Sequence, residues 1–286
     1  MKVIVAGVNG FIGRAMARYL QEVENAEVLG LVRDLNEAPA TDGIRLVSKL
    51  EAADCMINLA GSGGIPESFT DPVAAFQSTC TLTAALLGQA IDLNIPKFVL
   101  ASTCAVYPTG PNPSSEDGPF DLNSPYAQAK FAAETYLRSA FEITGIDAKS
   151  VRLANVYGPF QTRQMIQELA ERAQSGDGPV SIRSSGAERR DFLHVDDCAA
   201  GLWTLCQNGD AGGIYNLGSG EPRRIYDVAQ QICSHFGKSL EAKEPDVQYE
   251  GQHDAFPDVT KARHLGVYPR VSFDAGLKAT LERLVK

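Results

Sequence analysis

Lys2-Val3-Ile4-Val5-Ala6-Gly7-Val8-Asn9-Gly10-Phe11-Ile12-Gly13 decides the fold. Lys2 to Ala6 is an apolar run with the length of a buried strand. Beyond Gly13 the apolar residues Ala15, Met16, Tyr19 and Leu20 recur at helical spacing. Strand, glycine turn and helix in that order form the context of a dinucleotide-binding fingerprint. Gly7 permits the tight turn, and Gly13 lets helix and strand pack closely. Gly10 lets backbone N–H groups approach a pyrophosphate at the helix N-terminus, where the helix dipole favours negative charge. Gly7, Asn9, Gly10, Phe11, Ile12 and Gly13 are therefore the candidate cofactor contacts. Their spacing is G-x-x-G-x-x-G rather than G-x-G-x-x-G.

Outward from this start, strands and helices alternate through about residue 158. Strands are expected at 2–6, 27–32, 44–47, 54–60, 96–101 and 147–154, and helices at 11–24, 71–94 and 125–143. Right-handed crossovers between such elements build an α/β, Rossmann-type, doubly wound parallel sheet. The stretch from Leu35 to Ala53 is short, so one crossover is expected to be trimmed to a loop. Pro108 to Asp121 reads as a loop over the site. An amphipathic helix is expected at 163–175, a short strand at Val180-Ser181-Ile182, a return to the sheet at Gly213 to Leu217, and helices near 225–236 and 273–285. The expected domains are thus a coenzyme domain of 1–158 plus about 191–220, and a discontinuous substrate lobe of about 159–190 plus 221–286.

Two further features carry chemistry. The second strand runs into Val32-Arg33-Asp34. A carboxylate near this place bonds the ribose of NAD, whereas an arginine accommodates the 2′-phosphate of NADP. Arg33 favours NADP(H) because its guanidinium fork suits phosphate; NAD(H) stays open through Asp34. Tyr126 and Lys130 stand four apart in Ser124-Pro125-Tyr126-Ala127-Gln128-Ala129-Lys130, a helix start with Ser124 as N-cap and Pro125 in the first turn. That spacing puts a phenol and an ammonium on one helical face, where the cation is expected to lower the phenol pKa toward general acid–base work. Ahead of this helix, Phe98 to Ala101 delivers the hydroxyls of Ser102 and Thr103 to a strand end, the edge at which open parallel sheets bind ligands.

Taken together with Asn58-Leu59-Ala60-Gly61, Arg152 to Pro159, Arg190 to Asp197 and Tyr215 to Gly220, these blocks resemble the extended short-chain dehydrogenase/reductase family, in its nucleotide-sugar epimerase, dehydratase and reductase branch. The resemblance covers nearly the whole chain. It implies that Tyr126 is the acid/base, that Lys130 also holds the nicotinamide ribose, and that Thr103, with Ser102 as the alternative, is the catalytic hydroxyl. It further implies that Leu59 and Ala60 line the cofactor crevice, that Asn155 and Arg190 contact a substrate diphosphate, and that Ser62 lies in the substrate pocket. Departures from the family pattern narrow the reaction. Dehydratases of this branch carry Asp-Glu after the catalytic Thr, where this chain has Cys104-Ala105, so the acid that protonates a departing hydroxyl is missing. Thr79 stands where the family has an Asn that supports a water relay. Gln252 or His253 stands where many relatives have a second diphosphate arginine.

The 286 residues carry a net charge of −9 without a Lys/Arg cluster, which argues against nucleic-acid or anionic-membrane partners. Six scattered cysteines with no C-x-x-C read as reduced thiols, and four histidines without ligand spacing predict no metal. His194 is expected to be packed rather than catalytic. No secretory leader or membrane span is read, so a cytoplasmic enzyme is expected, as a homodimer through the helices at 71–94 and 125–143. The expected activity is NADPH reduction of a 4-keto group on a nucleotide-activated sugar. The alternative is a nucleotide-sugar 4-epimerase, and a third reading is a non-catalytic NADP-binding regulator.

Overall fold

The computed structural model describes residues 1–35, 43–61, 63–176, 178–182, 184–242 and 253–284. In chain order its first half contains β1 (Lys2–Ala6), α1 (Phe11–Glu22), β2 (Glu27–Leu31), β3 (Arg45–Val47), β4 (Cys55–Asn58), α2 (Ile65–Thr70), α3 (Pro72–Phe76), α4 (Leu82–Asp92), β5 (Lys97–Thr103) and α5 (Pro125–Thr144). The second half contains β6 (Asp147–Leu153), β7 (Asn155–Tyr157), α6 (Met165–Ser175), β8 (Arg189–Arg190), β9 (Phe192–His194), α7 (Val195–Asn208), β10 (Ile214–Leu217), β11 (Arg223–Arg224), α8 (Ile225–His235), α9 (Thr260–His264) and α10 (Phe273–Leu284).

Seven strands form one parallel sheet in the order β10-β6-β5-β4-β1-β2-β3. The order reverses between β1 and β4, which opens a crevice at their carboxyl ends. Period-two alternation distributes β1 between two cores. Val3 and Val5 pack with Met16, Leu20, Leu202 and Trp203 from α1 and α7, while Ile4 and Ala6 pack with Leu87 and Leu137 from α4 and α5. A third cluster, including Tyr157, Leu169, Ile232, Phe273 and Leu277, ties α6, α8 and α10 together beyond the sheet.

Two elements differ from the sequence reading. The helix expected across 71–94 changes pitch: Gln77–Thr81 forms a π-helical turn between α3 and α4, and α2 precedes them. The expected strand Val180-Ser181-Ile182 does not form. Val180 makes one isolated bridge to Leu240, and Ser181 and Ile182 find no strand partner. The pairing in this region comes instead from β8 against β11 and from β7 against β9. Residues 36–42 of the expected trimmed crossover lie outside the described residues, whereas the return to the sheet is β10, parallel to β6.

Candidate active site

The glycine turn and the turn after β4 face each other across the crevice. Gly7 has φ +78°, and a Cβ there would lie 2.9 Å from the Leu59 carbonyl and the Ala60 nitrogen. Buried Asn58 holds the opposite wall, accepting the Ala60 N–H at 3.1 Å and donating to Thr83 Oγ1 at 3.1 Å. Gly10 is the N-cap of α1, which has no side-chain cap and no acidic residue in its first turn. Its free N–H groups and the dipole therefore favour an anion. The Asn9 Oδ1 atom is buried without a hydrogen-bond partner, so the turn keeps polar capacity for something beyond the protein. These residues fit a dinucleotide. Arg33 is exposed two residues beyond β2, and Ser62 falls outside the described residues.

Across the crevice three consecutive residues of β5 meet one face of α5. The α5 helix starts at the Ser124 N-cap, whose hydroxyl accepts the Ala127 N–H, and stops at Gly145 in the left-handed region. Tyr126, Lys130 and Glu134 recur every fourth residue along it and so share a face. The Ala101 carbonyl accepts from Lys130 Nζ at 2.7 Å. The Ser102 hydroxyl donates to Glu134. The Thr103 hydroxyl is near enough to the phenol of Tyr126 to lower its pKa. Of the two candidate hydroxyls, Thr103 is thus the one beside the phenol, while Ser102 is buried and committed to Glu134.

The electrostatics differ from the sequence expectation for Tyr126. Burial pushes the phenol pKa up, the Thr103 hydroxyl opposes it in part, and Lys130 does not reverse the sign. The reason is geometric, since the ammonium is turned onto the Ala101 carbonyl. Burial lowers Lys130 itself to about 8, with Glu134 pulling it back up. Near neutral pH the pair is therefore a protonated phenol beside a cation that titrates close to the working range. Thr79 lies in the π turn. A Cβ at Gly61 would sit 3.8 Å from each of Lys130 Nζ, Ser78 O and Thr79 Oγ1, so Gly61 separates the lysine from the π turn.

Glu134 and Arg152 did not emerge from the sequence as functional. Arg152 donates from Nε at 3.0 and 3.1 Å and from Nη2 at 2.6 Å to the two oxygens of Glu134. It also donates to Tyr107 Oη and the Glu116 carbonyl, both at 2.8 Å, and Tyr107 donates to Asn216 at 2.7 Å. The available signal was a glutamate in step with Tyr126 and Lys130 among Ala127, Ala133 and Leu137, on the buried face of α5.

Asn155 and Arg190 meet in a separate cavity of about 300 Å3, lined also by Met165, Leu169, Ile182, Phe192 and Ile225. In the β8–β11 ladder, Arg189 pairs with buried Asp254, Arg223 with Glu221 and Arg224 with Asp227. Arg190 makes no ion pair among the described residues; it donates to the carbonyls of Arg189 and His253. Its neighbour Asp191 is not its partner. That carboxylate is buried and accepts the N–H groups of Ser219 and Gly220 at 2.7 and 2.8 Å. Glu168, Arg172 and Glu188 share that cavity wall, and Glu188 and Asp254 act on the Arg190 guanidinium through space; the half-buried guanidinium still has a fork suited to an anion. His194 is packed edge-on against Tyr157 and accepts the Asp196 N–H; burial lowers its pKa. Among the described residues no group of three or more His, Cys, Asp or Glu could hold a metal, and no helix is long and apolar enough to cross a membrane.

A dehydratase and an epimerase stand among the similar proteins. The chain is 28% identical to a low-salt glycan biosynthesis protein of Haloferax volcanii, over 99% of this chain and 98% of that one. It is also 28% identical to a dTDP-glucose 4,6-dehydratase of Streptomyces antibioticus, over 99% and 92%. The structure of the Thermus thermophilus UDP-glucose 4-epimerase in complex with NAD superposes with a TM-score of 0.86 at 25% identity, covering 100% of this chain and 99% of that one. The profile of the NAD dependent epimerase/dehydratase family matches residues 3–218. Coenzyme crevice, tyrosine helix and sheet order thus have one common explanation: this chain belongs to the NAD dependent epimerase/dehydratase family of nucleotide-sugar enzymes, within the extended short-chain dehydrogenase/reductases.

Proposed function

We propose that this enzyme uses NADPH to reduce a keto group, at C4, on a nucleotide-activated sugar. The observation that carries this reading is the meeting of Thr103, Tyr126 and Lys130 at the carboxyl end of β5, beside the glycine turn. Gly7, Asn9, Gly10, Phe11, Ile12 and Gly13, with Leu59 and Ala60 opposite, would hold NADPH and Arg33 would receive its 2′-phosphate; when bound, that coenzyme would supply the hydride. The chain does the rest. Thr103 orients the carbonyl oxygen, Tyr126 gives it a proton, and the Lys130 ammonium favours the phenolate left behind. Asn155 and Arg190 bind the diphosphate, in a cavity to which the lobe of about 159–190 plus 221–286 gives most of the wall and the coenzyme domain gives Asn155 and Phe192. Dehydration is disfavoured because Cys104, a thiol that burial holds well above its ordinary pKa, stands where a carboxylic acid is needed.

A 4-epimerase is the second reading, favoured by the likeness to the UDP-glucose 4-epimerase. With a 4-keto nucleotide sugar, reductase activity consumes NADPH stoichiometrically, whereas an epimerase converts its sugar with no net change in nicotinamide absorbance; the second outcome removes the first reading. Arg33→Ala is expected to weaken NADPH binding about 10–100-fold, the scale of one or two charge-assisted hydrogen bonds, and to leave NADH within about twofold. Equal losses for both coenzymes would end the case for a 2′-phosphate site.

The chain is further proposed to form a homodimer through the helices at 71–94 (α3 and α4) and 125–143 (α5), with α2 beside them. Phe69 is exposed on α2, Val73 and Phe76 on α3, Tyr136 and Ile143 on α5, and apolar groups clustered on packed helices mark association surfaces. Light scattering is expected to give the mass of two chains; the mass of one would reject the dimer.

A further inference from the structure

We propose that Glu134 is a positioning residue, which with Arg152 and Ser102 locks the register between β5 and α5 so that Thr103, Tyr126 and Lys130 face one reaction centre. The inference rests on the proposed reduction, in which those three residues act.

The geometry is a three-point dock. Ala101, Ser102 and Thr103 follow one another on β5, and each meets a different residue of the Tyr126, Lys130, Glu134 face of α5. The first and third contacts engage the reacting groups. The middle one engages a residue with no place in the chemistry. Ser102 pairs directly with Arg152 across the β5–β6 ladder, so both stand on the sheet face that meets Glu134. Arg152 fills both carboxylate oxygens in a bidentate grip. Three elements are therefore pinned at one carboxylate. Were a helix to slide by part of a turn, Lys130 would leave the Ala101 carbonyl and Tyr126 would leave Thr103.

Stability does not explain this pair. Glu134 is 3% exposed and Arg152 is 1% exposed. Buried ion pairs repay little of their desolvation, and apolar residues of similar shape often serve equally well. What the pair supplies is directionality, which an apolar contact lacks.

The same carboxylate acts on Lys130 through space. The groups acting on that ammonium are Glu134 from α5 and the Ala101 carbonyl from β5, with Gly61 between it and the π turn; Arg152 holds Glu134 from β6. Glu134 is the carboxylate that supports the cation against burial.

The test uses the full chain with two variants. In Glu134→Leu/Arg152→Met both charges leave together, and melting is expected within a few degrees of the parent or above it. Its kcat is expected to fall about 10–100-fold, with KM for NADPH within about threefold, because a misplacement of roughly 1 Å has that cost. A crystal structure is expected to show the Lys130–Ala101 and Thr103–Tyr126 contacts broken. In Glu134→Gln, which retains shape, the basic limb of the pH–kcat profile is expected to move to lower pH, since Lys130 loses its supporting charge. The proposal is overturned if the folded double variant keeps both contacts and kcat within twofold. If the double variant does not fold, a Glu134→Gln enzyme with the parental pH profile and kcat within twofold overturns it equally. Failure of the reductase reading looks different: the parent itself then shows no NADPH turnover, and the crystallographic comparison still decides the role of Glu134.

Discussion

Tyr126→Phe is expected to lower kcat for the keto sugar about 10²–10⁴-fold, the range for loss of a positioned general acid, while NADPH affinity stays within about threefold. The direction follows from the site. Burial holds the phenol pKa above its ordinary value, so at neutral pH Tyr126 carries its proton, the state that reduction requires. In the proposed reduction, the phenol delivers that proton as negative charge grows on the carbonyl oxygen, and the phenolate left behind lies one helical step from the Lys130 ammonium. Phenylalanine keeps the ring packing and removes only the proton. The lysine sets a second observable. Its pKa is lowered to about 8; below that pH it is a cation that favours proton loss from the phenol, and above it the assistance disappears. Turnover of the parent is therefore expected to decline as pH rises through about 8. The measurement is single-turnover hydride transfer at several pH values. Turnover of Tyr126→Phe within twofold of the parent would remove the acid/base role and restore the reading of a non-catalytic nucleotide binder.

Much of this was legible because it is written in periodicity. The step from a buried-strand run to glycine spacing to helical spacing at Lys2 to Leu20 places β1, the turn and α1, and the Ser124-Pro125 start places α5 to within a residue at each end. Pairs four apart on a helix are equally readable, which brought out Tyr126 and Lys130. Less legible were features that depend on what packs opposite. The π turn at Gln77–Thr81 has no compositional signature, because it is one misplaced hydrogen-bond step inside an ordinary helical pattern. Glu134 and Arg152 look like solvated charges until β6 is laid beside β5 and shows that each hides the other. The sign of the Tyr126 shift escaped for a related reason: spacing says that a cation is near, but only the fold says that the cation is spent on a carbonyl while burial outweighs the Thr103 hydroxyl. The cavity around Arg190 was accessible only through resemblance, since four arginines in two short strands look alike until three of them are seen to be paired.

The largest effect on coenzyme binding is expected from the smallest side chain, a single methyl group at Gly13. A Cβ there would lie 2.1 Å from the Gly7 carbonyl oxygen, 2.8 Å from Val8 Cα and 2.9 Å from the Gly7 carbonyl carbon. All three are backbone atoms, so no rotamer change relieves the clash. Ordinary contact requires about 3.5 Å, and α1 must therefore back away from the turn by roughly 1 Å. The free N–H groups of its first turn move with it. In the proposed binding mode these groups meet the pyrophosphate, and a displacement of that size has a cost of about 10²-fold where alignment is needed. Gly13→Ala is thus expected to weaken NADPH binding at least about 100-fold and to destabilise the fold by about 1–3 kcal/mol, the usual cost of overpacking. Gly88 in α4 is the control, because nothing lies within 4 Å of its added Cβ. Gly88→Ala is expected to gain up to about 1 kcal/mol from helix propensity and to leave binding unchanged. Nicotinamide fluorescence titration and thermal melting of both variants give the comparison. Were Gly13→Ala to bind NADPH within tenfold of the parent and melt at the parental temperature, α1 could not be resting on the turn as closely as the structure places it, and the crevice would lose its claim on the pyrophosphate.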